Sequence, residues 1–297
     1  MLKKLETQFS HALLESNPSS NERALWLETD SKEVIGFDSA KLTDNEVTLL
    51  KLLLTECQAV PPPQTEREHA WKQCLLHGEG SPFSEGNVSF IHFQMEVRLD
   101  DYESFREALL SFFHEQVHIV WQTATNGVII YETSLTEEYP DLHEVAEAII
   151  TDFYVDIHFL KGRTISLDNA QTIYSWEKEI FFTALKSYSN QTVFHELEAA
   201  TFFLLSLLPQ AEMERLRSLF FPKEIISDHE LMRSIQIYFQ NNMNVTQAAK
   251  AQHMHRNSMQ YRIDKFTAKT ELDLKHFPNA VITYLMLLLT QPKKALS

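Results

Sequence analysis

The chain of 297 residues is 44% hydrophobic and 23% charged, with six glycines and ten prolines, which fits a globular protein and argues against low-complexity sequence or a turn-rich β-sandwich. A formal net charge of −15 argues against nucleic-acid binding by the chain as a whole, but nine Lys/Arg stand against five Asp/Glu over 228–297, leaving seventeen against thirty-six over 1–227. An acidic body with a small basic C-terminal module is the asymmetry expected when one part alone meets phosphate.

Residues 1–17 pattern as an amphipathic helix without the apolar run of a leader, and Asn17 to Asn21 breaks it. Ala24–Glu28 and Glu33–Phe37 read as a hairpin around Thr29 to Lys32. Thr43 with Glu46 forms a capping-box signature before an apolar helix. This small α+β unit covers 1–60. Three prolines, 61–63, end it, and 61–87 reads as a linker with a short helix from Thr65 to Leu76. Cys57 and Cys74 are spaced for neither a zinc nor a redox motif, so no metal or cofactor is expected, and reduced thiols suit a cytoplasmic setting.

The middle region, 88–225, alternates. Val88–Leu99 is strand-like, and Asp100 or Asp101 caps a helix to about His114. Val117–Thr123 and Val128–Thr133 are strands, with Asn126-Gly127 reading as a type I′ turn between them. A helix over Leu142–Phe153, a strand over Asp156–Leu160 and a long helix to about Tyr188 follow. The β-α-β-β-α-β order is ferredoxin-like. Two further helices, near 193–208 and 210–221, carry Phe202, Phe203, Leu204, Leu205, Leu207 and Leu208, a stripe suited to core or dimer contact.

From Asp228 to 297 the pattern is all helical, so the fold class is α+β with an all-α C-terminal domain. A short helix, Val245–Ala251, carries Ala248 and Ala249, small enough for another helix to cross. The next runs from about His255 to Phe266, with an apolar stripe of Met254, Met259, Ile263 and Phe266. Its other face holds residue types that read DNA. Arg takes two acceptors of guanine and Asn or Gln reads adenine, so Arg256, Asn257 and Gln260 are the candidate base contacts. Thr246, Ser258, Tyr261, Arg262 and Lys265 suit the phosphate backbone. His253 stands in the turn where many helix-turn-helix proteins place glycine. The apolar run Val281–Leu289 is too short to span a bilayer and reads as a buried helix.

Asn244 to Arg262, and above all His-Arg-Asn-Ser-x-x-Tyr-Arg over 255–262, resembles the C-terminal helix-turn-helix of the PucR/CdaR transcription regulators. The likeness covers roughly the last 65 residues and extends to Thr270–Leu274. It implies a double-stranded DNA operator as partner, a homodimer and a small-molecule effector. The strand order of 88–190 is similar to the degenerate GGDEF-like domain of that family. Its hairpin, Thr123 to Gly127, has none of the carboxylates that would hold Mg²⁺ and a nucleotide, so no cyclase activity is implied. The N-terminal unit is shorter than the sugar-diacid-sensing region of some relatives, so that sensing is not implied.

Two rival readings follow from other features. The helical bundle could serve as a protein-interaction adaptor. His114-Glu115-Gln116-Val117-His118 matches the zinc-protease motif H-E-x-x-H, which needs both histidines on one face of a continuous helix. Ile119-Val120-Trp121 reads as a strand and breaks that condition, so no catalytic residue is assigned and the chain is expected not to be an enzyme.

Overall fold

The computed structural model describes residues 5, 7–14, 24–29, 34–56, 60–80, 82, 86–113, 117–133, 139–187 and 191–290. Contacts divide the chain into two compact units, 1–181 with 191–196 and 182–190 with 197–297. Elements are mixed helix and sheet, an α+β fold.

In the first unit, β1 (Ala24–Glu28) lies between β2 (Val34–Asp38) and β3 (Thr55–Glu56), antiparallel to both. Thr43 caps α1 (Asp44–Leu53) through the full box: Glu46 N donates to Thr43 Oγ1, and Thr43 N donates to Glu46 Oε2 at 2.8 Å. Leu27, Phe37 and Leu50 fill the core beneath. Of the helix expected over 1–17, residues 1–4, 6 and 15–17 lie outside the described residues; it does not continue to Leu13, which makes an isolated antiparallel bridge with Phe37. The hairpin turn, 30–33, lies outside the described residues, as does Cys57.

The larger sheet has the order β5-β6-β4-β7-β9, with β8 (Ile165–Ser166) on β4. β4 (Asn87–Met95), β5 (Val117–Trp121), β6 (Asn126–Thr133) and β7 (Ile157–Lys161) pair antiparallel among themselves. With α3 (Tyr102–Ser111) between β4 and β5 and α4 (Leu142–Phe153) between β6 and β7, this is the ferredoxin-like arrangement. β9 (Val193–His195), read from sequence as the start of a helix, instead extends the sheet in parallel to β7. The apolar run along β4 explains its central place: both faces are covered. Ile91, Phe93 and Met95 pack with α3 and α4 on one face. Val88 and Phe90 meet α2 (Glu66–Lys72) and α5 (Ala170–Ser187) on the other.

Asn126-Gly127 does not form the turn. The chain reverses over 122–125, and Gly127 is a strand residue opposite Phe93 and Trp121. A Cβ at Gly127 would come within 2.6 Å of the Phe93 ring, so the glycine serves close packing rather than a left-handed turn.

The short helix expected in a linker, α2, is part of this unit's core. Its Trp71 is fully buried and donates Nε1–H to Glu132 Oε1 at 2.8 Å. Arg67 grips both oxygens of the same carboxylate, at 2.9 and 3.0 Å. Burial pushes Glu132 upward, but the Arg67 and Trp71 hydrogen bonds win and hold it below the usual range. The fully buried Glu68 accepts from Arg106 Nη2 at 2.7 Å, Ile119 N at 2.9 Å and Gln64 N at 2.7 Å.

A second buried pair joins sheet and helix. His92 Nε2 on β4 lies 3.1 Å from Glu177 Oε2 on α5, with Tyr174 stacked on the imidazole. Burial lowers His92 to about 3 and raises Glu177 to about 9, so both are uncharged at neutral pH.

The second unit is helical over α6 (Glu196–Ser206), α7 (Gln210–Phe220), α8 (Lys223–Ile226), α9 (His229–Gln240), α10 (Val245–Ala251), α11 (Arg256–Thr270) and α12 (Phe277–Thr290). Of the leucine-rich stripe, Phe202 and Leu205 are buried, while Leu204 and Leu207 are exposed. Phe221 and Ile225 join one core with α9 to α12.

Candidate nucleic-acid interface

Local caps set the three helices of the candidate interface. Asp228 Oδ1 accepts from Leu231 N at 3.1 Å and starts α9, whose Leu231, Ile235 and Tyr238 are buried. The helix ends in two left-handed residues, Asn242 (φ 52°) and Met243 (φ 59°), whose amides donate back to Phe239 O and Tyr238 O. This bond pattern satisfies the last carbonyls and stops the helix. Asn244 then caps α10, accepting from Thr246 N at 3.0 Å and Gln247 N at 3.1 Å.

The four-residue turn between α10 and α11 has the same chemistry. Met254 N donates to Ala249 O at 2.9 Å and His253 N to Lys250 O at 3.0 Å, with His253 at φ 53°. The His255 side chain caps α11, its Nδ1 accepting from Asn257 N at 3.2 Å. That bond needs a lone pair on Nδ1, so the cap requires an imidazole unprotonated there. Ala248 and Ala249 are buried under the crossing, and Met259, Ile263 and Phe266 form the buried seam of α11. Met254 is half-buried against the same core.

The remaining candidate residues divide into two groups. Arg256, Asn257, Ser258 and Tyr261 are exposed along α11, and Thr246 is exposed on α10. The first turn of α11 has no acidic residue. Gln260 is half-buried, its amide donating to Asp264 Oδ1 at 2.8 Å. Arg262 and Lys265 are already engaged. Arg262 Nη2 donates to Glu230 Oε1, and Nη1 donates to Ser234 Oγ at 2.6 Å. Lys265 Nζ donates to Asp228 Oδ2 at 2.7 Å. This last bond holds Asp228 below the usual carboxylate range and raises Lys265. A recess of about 520 Å³ opens between the two helices, lined by Asp228, Glu230, Leu231, Asn257, Ser258, Tyr261, Arg262 and Lys265.

Sequence reasoning missed the acidic side of this recess. Glu230 lies 32 residues before Arg262, and Asp228 lies 37 before Lys265, so no local period links them. Asp228 as a cap was the nearest available signal.

The zinc-motif reading meets a direct obstacle. α3 ends at Ser111 and His118 stands on β5, its Nε2 3.3 Å from Glu132 Oε1. The single helix face that the motif needs therefore does not reach His118. His114, Glu115 and Gln116 lie outside the described residues.

Residues 231–289 match the family model of the PucR C-terminal helix-turn-helix domain, which spans α9 to α12. Over 276 residues the chain is 29% identical to YxkF of Bacillus subtilis (strain 168), covering 89% of this chain and 90% of that protein. It is 26% identical over 137 residues to the proline-responsive transcriptional activator PutR of the same organism, covering 46% of this chain and 30% of PutR. Among solved structures, a regulator of polyketide synthase expression from Bifidobacterium adolescentis aligns with 75% of this chain and 91% of its own, at 14% identity and a TM-score of 0.32. No helix among the described residues is long and apolar enough to cross a membrane.

Proposed function

We propose that this chain, a transcription regulator carrying a PucR-type helix-turn-helix domain, binds operator DNA with α11 in the major groove. The observation that carries this reading is the exposed, acid-free N-terminal turn of α11. It presents Arg256 and Asn257 above a seam fixed by Ala248, Ala249, Met259 and Ile263. Residues at this end of a recognition helix reach base edges. Arg256 and Asn257 are the proposed base contacts, with Gln260 joining them once its amide leaves Asp264. The proposed backbone contacts are Thr246, exposed on α10, and Ser258, Tyr261, Arg262 and Lys265, which line the recess beside α11.

In this reading the chain acts as a homodimer on two half-sites, and the ferredoxin-like sheet, a GGDEF-like element without nucleotide chemistry, carries the response to an effector. Mobility shifts with DNA from upstream of its own operon test the reading. Specific binding is expected, falling steeply with salt. Arg256→Ala with Asn257→Ala should cost about ten- to hundred-fold in operator preference for each base-reading side chain removed. Unchanged preference in that double variant would exclude both residues from base reading. A folded chain that binds no such DNA would favour an adaptor instead.

A further inference from the structure

Ser258, Tyr261, Arg262 and Lys265 fall on one face of α11 by their spacing, and together they form one wall of the recess. The opposite wall is the start of α9, which supplies Asp228 and Glu230. The recess thus sets two carboxylates against two cations and has no net charge. Each cation is bonded to its own acid, and Arg262 is further fixed on Ser234 Oγ. A guanidinium has five donors and an ammonium three. Both therefore keep N–H groups for a phosphate oxygen while their charge is already matched.

We propose that Asp228 and Glu230 are specificity-determining residues of the DNA interface, cancelling the charge of Lys265 and Arg262 so that phosphate alone does not hold a duplex in this recess. This rests on the DNA-binding reading above. Sequence-independent affinity comes from neutralised phosphates and the counterions they release. Sequence preference comes from base edges. A neutral recess behind an acid-free first turn weakens the first and spares the second. The arrangement is placed to yield from the Glu230 side: Glu230 leaves 77% of its side chain in solvent, whereas Lys265, Asp228 and Arg262 leave 36%, 26% and 23%. An operator that docks through its bases can bring its phosphates against Arg262 and Lys265 and displace the carboxylates.

The test uses the full chain, a short random-sequence duplex and a duplex from its upstream DNA, each titrated across a salt series. Glu230→Gln and Asp228→Asn remove one charge apiece. Asn caps a helix as well as Asp does, and Glu230 is largely in solvent, so the fold is kept. Each variant is expected to bind the random duplex about three- to ten-fold more tightly at low salt, with a plot of log K against log salt steeper by about one. The preference for upstream DNA over random DNA should fall. Glu230→Asp, which keeps the charge, should stay near the parent slope. Unchanged random-duplex affinity and slope in both neutral variants would overturn the proposal while leaving DNA binding intact. A parent chain that binds neither duplex would end the DNA-binding reading itself and this proposal with it.

Discussion

Glu68 in the sheet-bearing unit and Glu230 in the helical unit both hold an arginine, at opposite depths. Glu68 is fully buried, and Arg106, Ile119 N and Gln64 N all bond to it. Glu230 leaves 77% of its side chain in solvent and bonds to Arg262. A buried carboxylate stripped of one partner leaves an uncompensated charge in a poor solvent, whereas water takes over when an exposed pair opens. The same two residue types therefore do different things. In the sheet they fix α2 and α3 on β5, and in the helical domain they can change partners.

The largest effect that would break this contrast is expected at Glu68. Glu68→Ala strands Arg106 and leaves the amide of Ile119 without its acceptor, and should cost about 3–5 kcal/mol. Denaturant unfolding followed by tryptophan fluorescence, to which the buried Trp71 contributes, reads it. A loss below about 1 kcal/mol, the range of exposed pairs, would mean the two acids are not different in kind.

The second test uses pH on the pair His92 and Glu177. Facing them are Tyr174, the Glu196–Arg163 ion pair and Lys178, which lowers His92 further. The folded Glu177 binds its proton up to about 9 and the unfolded one only to 4.5, so stability from this group is full below 4.5 and is lost as pH rises through 9. His92 has the opposite sign. Its folded form stays neutral down to about 3 against 6.5 unfolded, so its contribution is present above 6.5 and is lost as pH falls to 3. The two slopes cancel between 4.5 and 6.5. Thermal unfolding should show a plateau there, with a decline towards alkaline pH that Glu177→Gln flattens. A parent protein whose midpoint is level from pH 6.5 to 9 would contradict a neutral Glu177.

What could be read from sequence follows the range of the interaction concerned. Thr43 with Glu46 and the alanine pair at 248 and 249 act within a few residues, and their local patterns place α1 and the helix crossing. The alternating strand pattern likewise carries the β-α-β-β-α-β order. Misreadings occur where a distant partner decides. Gly127 looks like a turn residue until the sheet register sets it against Phe93. Val193–His195 looks helical until β7 offers an open edge. Residue type alone marked Arg262 and Lys265 as phosphate contacts, and only the folded chain brings Glu230 and Asp228 onto them.

The smallest effect sharpens the contrast within the helical unit, where backbone geometry rather than charge holds α10 against α11. His253 occupies the left-handed position that closes α10, at φ 53°. Histidine adopts this region more readily than β-branched residues do, but still at a steric cost that glycine does not incur. The return bonds, Met254 N to Ala249 O and His253 N to Lys250 O, are made by the backbone, and the imidazole itself is exposed. His253→Gly should therefore keep the turn, relieve its strain and give back part of the gain through a freer unfolded chain. The net expectation is a stabilisation of about 0.5 kcal/mol, read as a small rise in the thermal midpoint with operator affinity unchanged. A drop in affinity at unchanged stability would instead place the His253 side chain against the DNA, and would move the interface from the face of α11 into the turn before it.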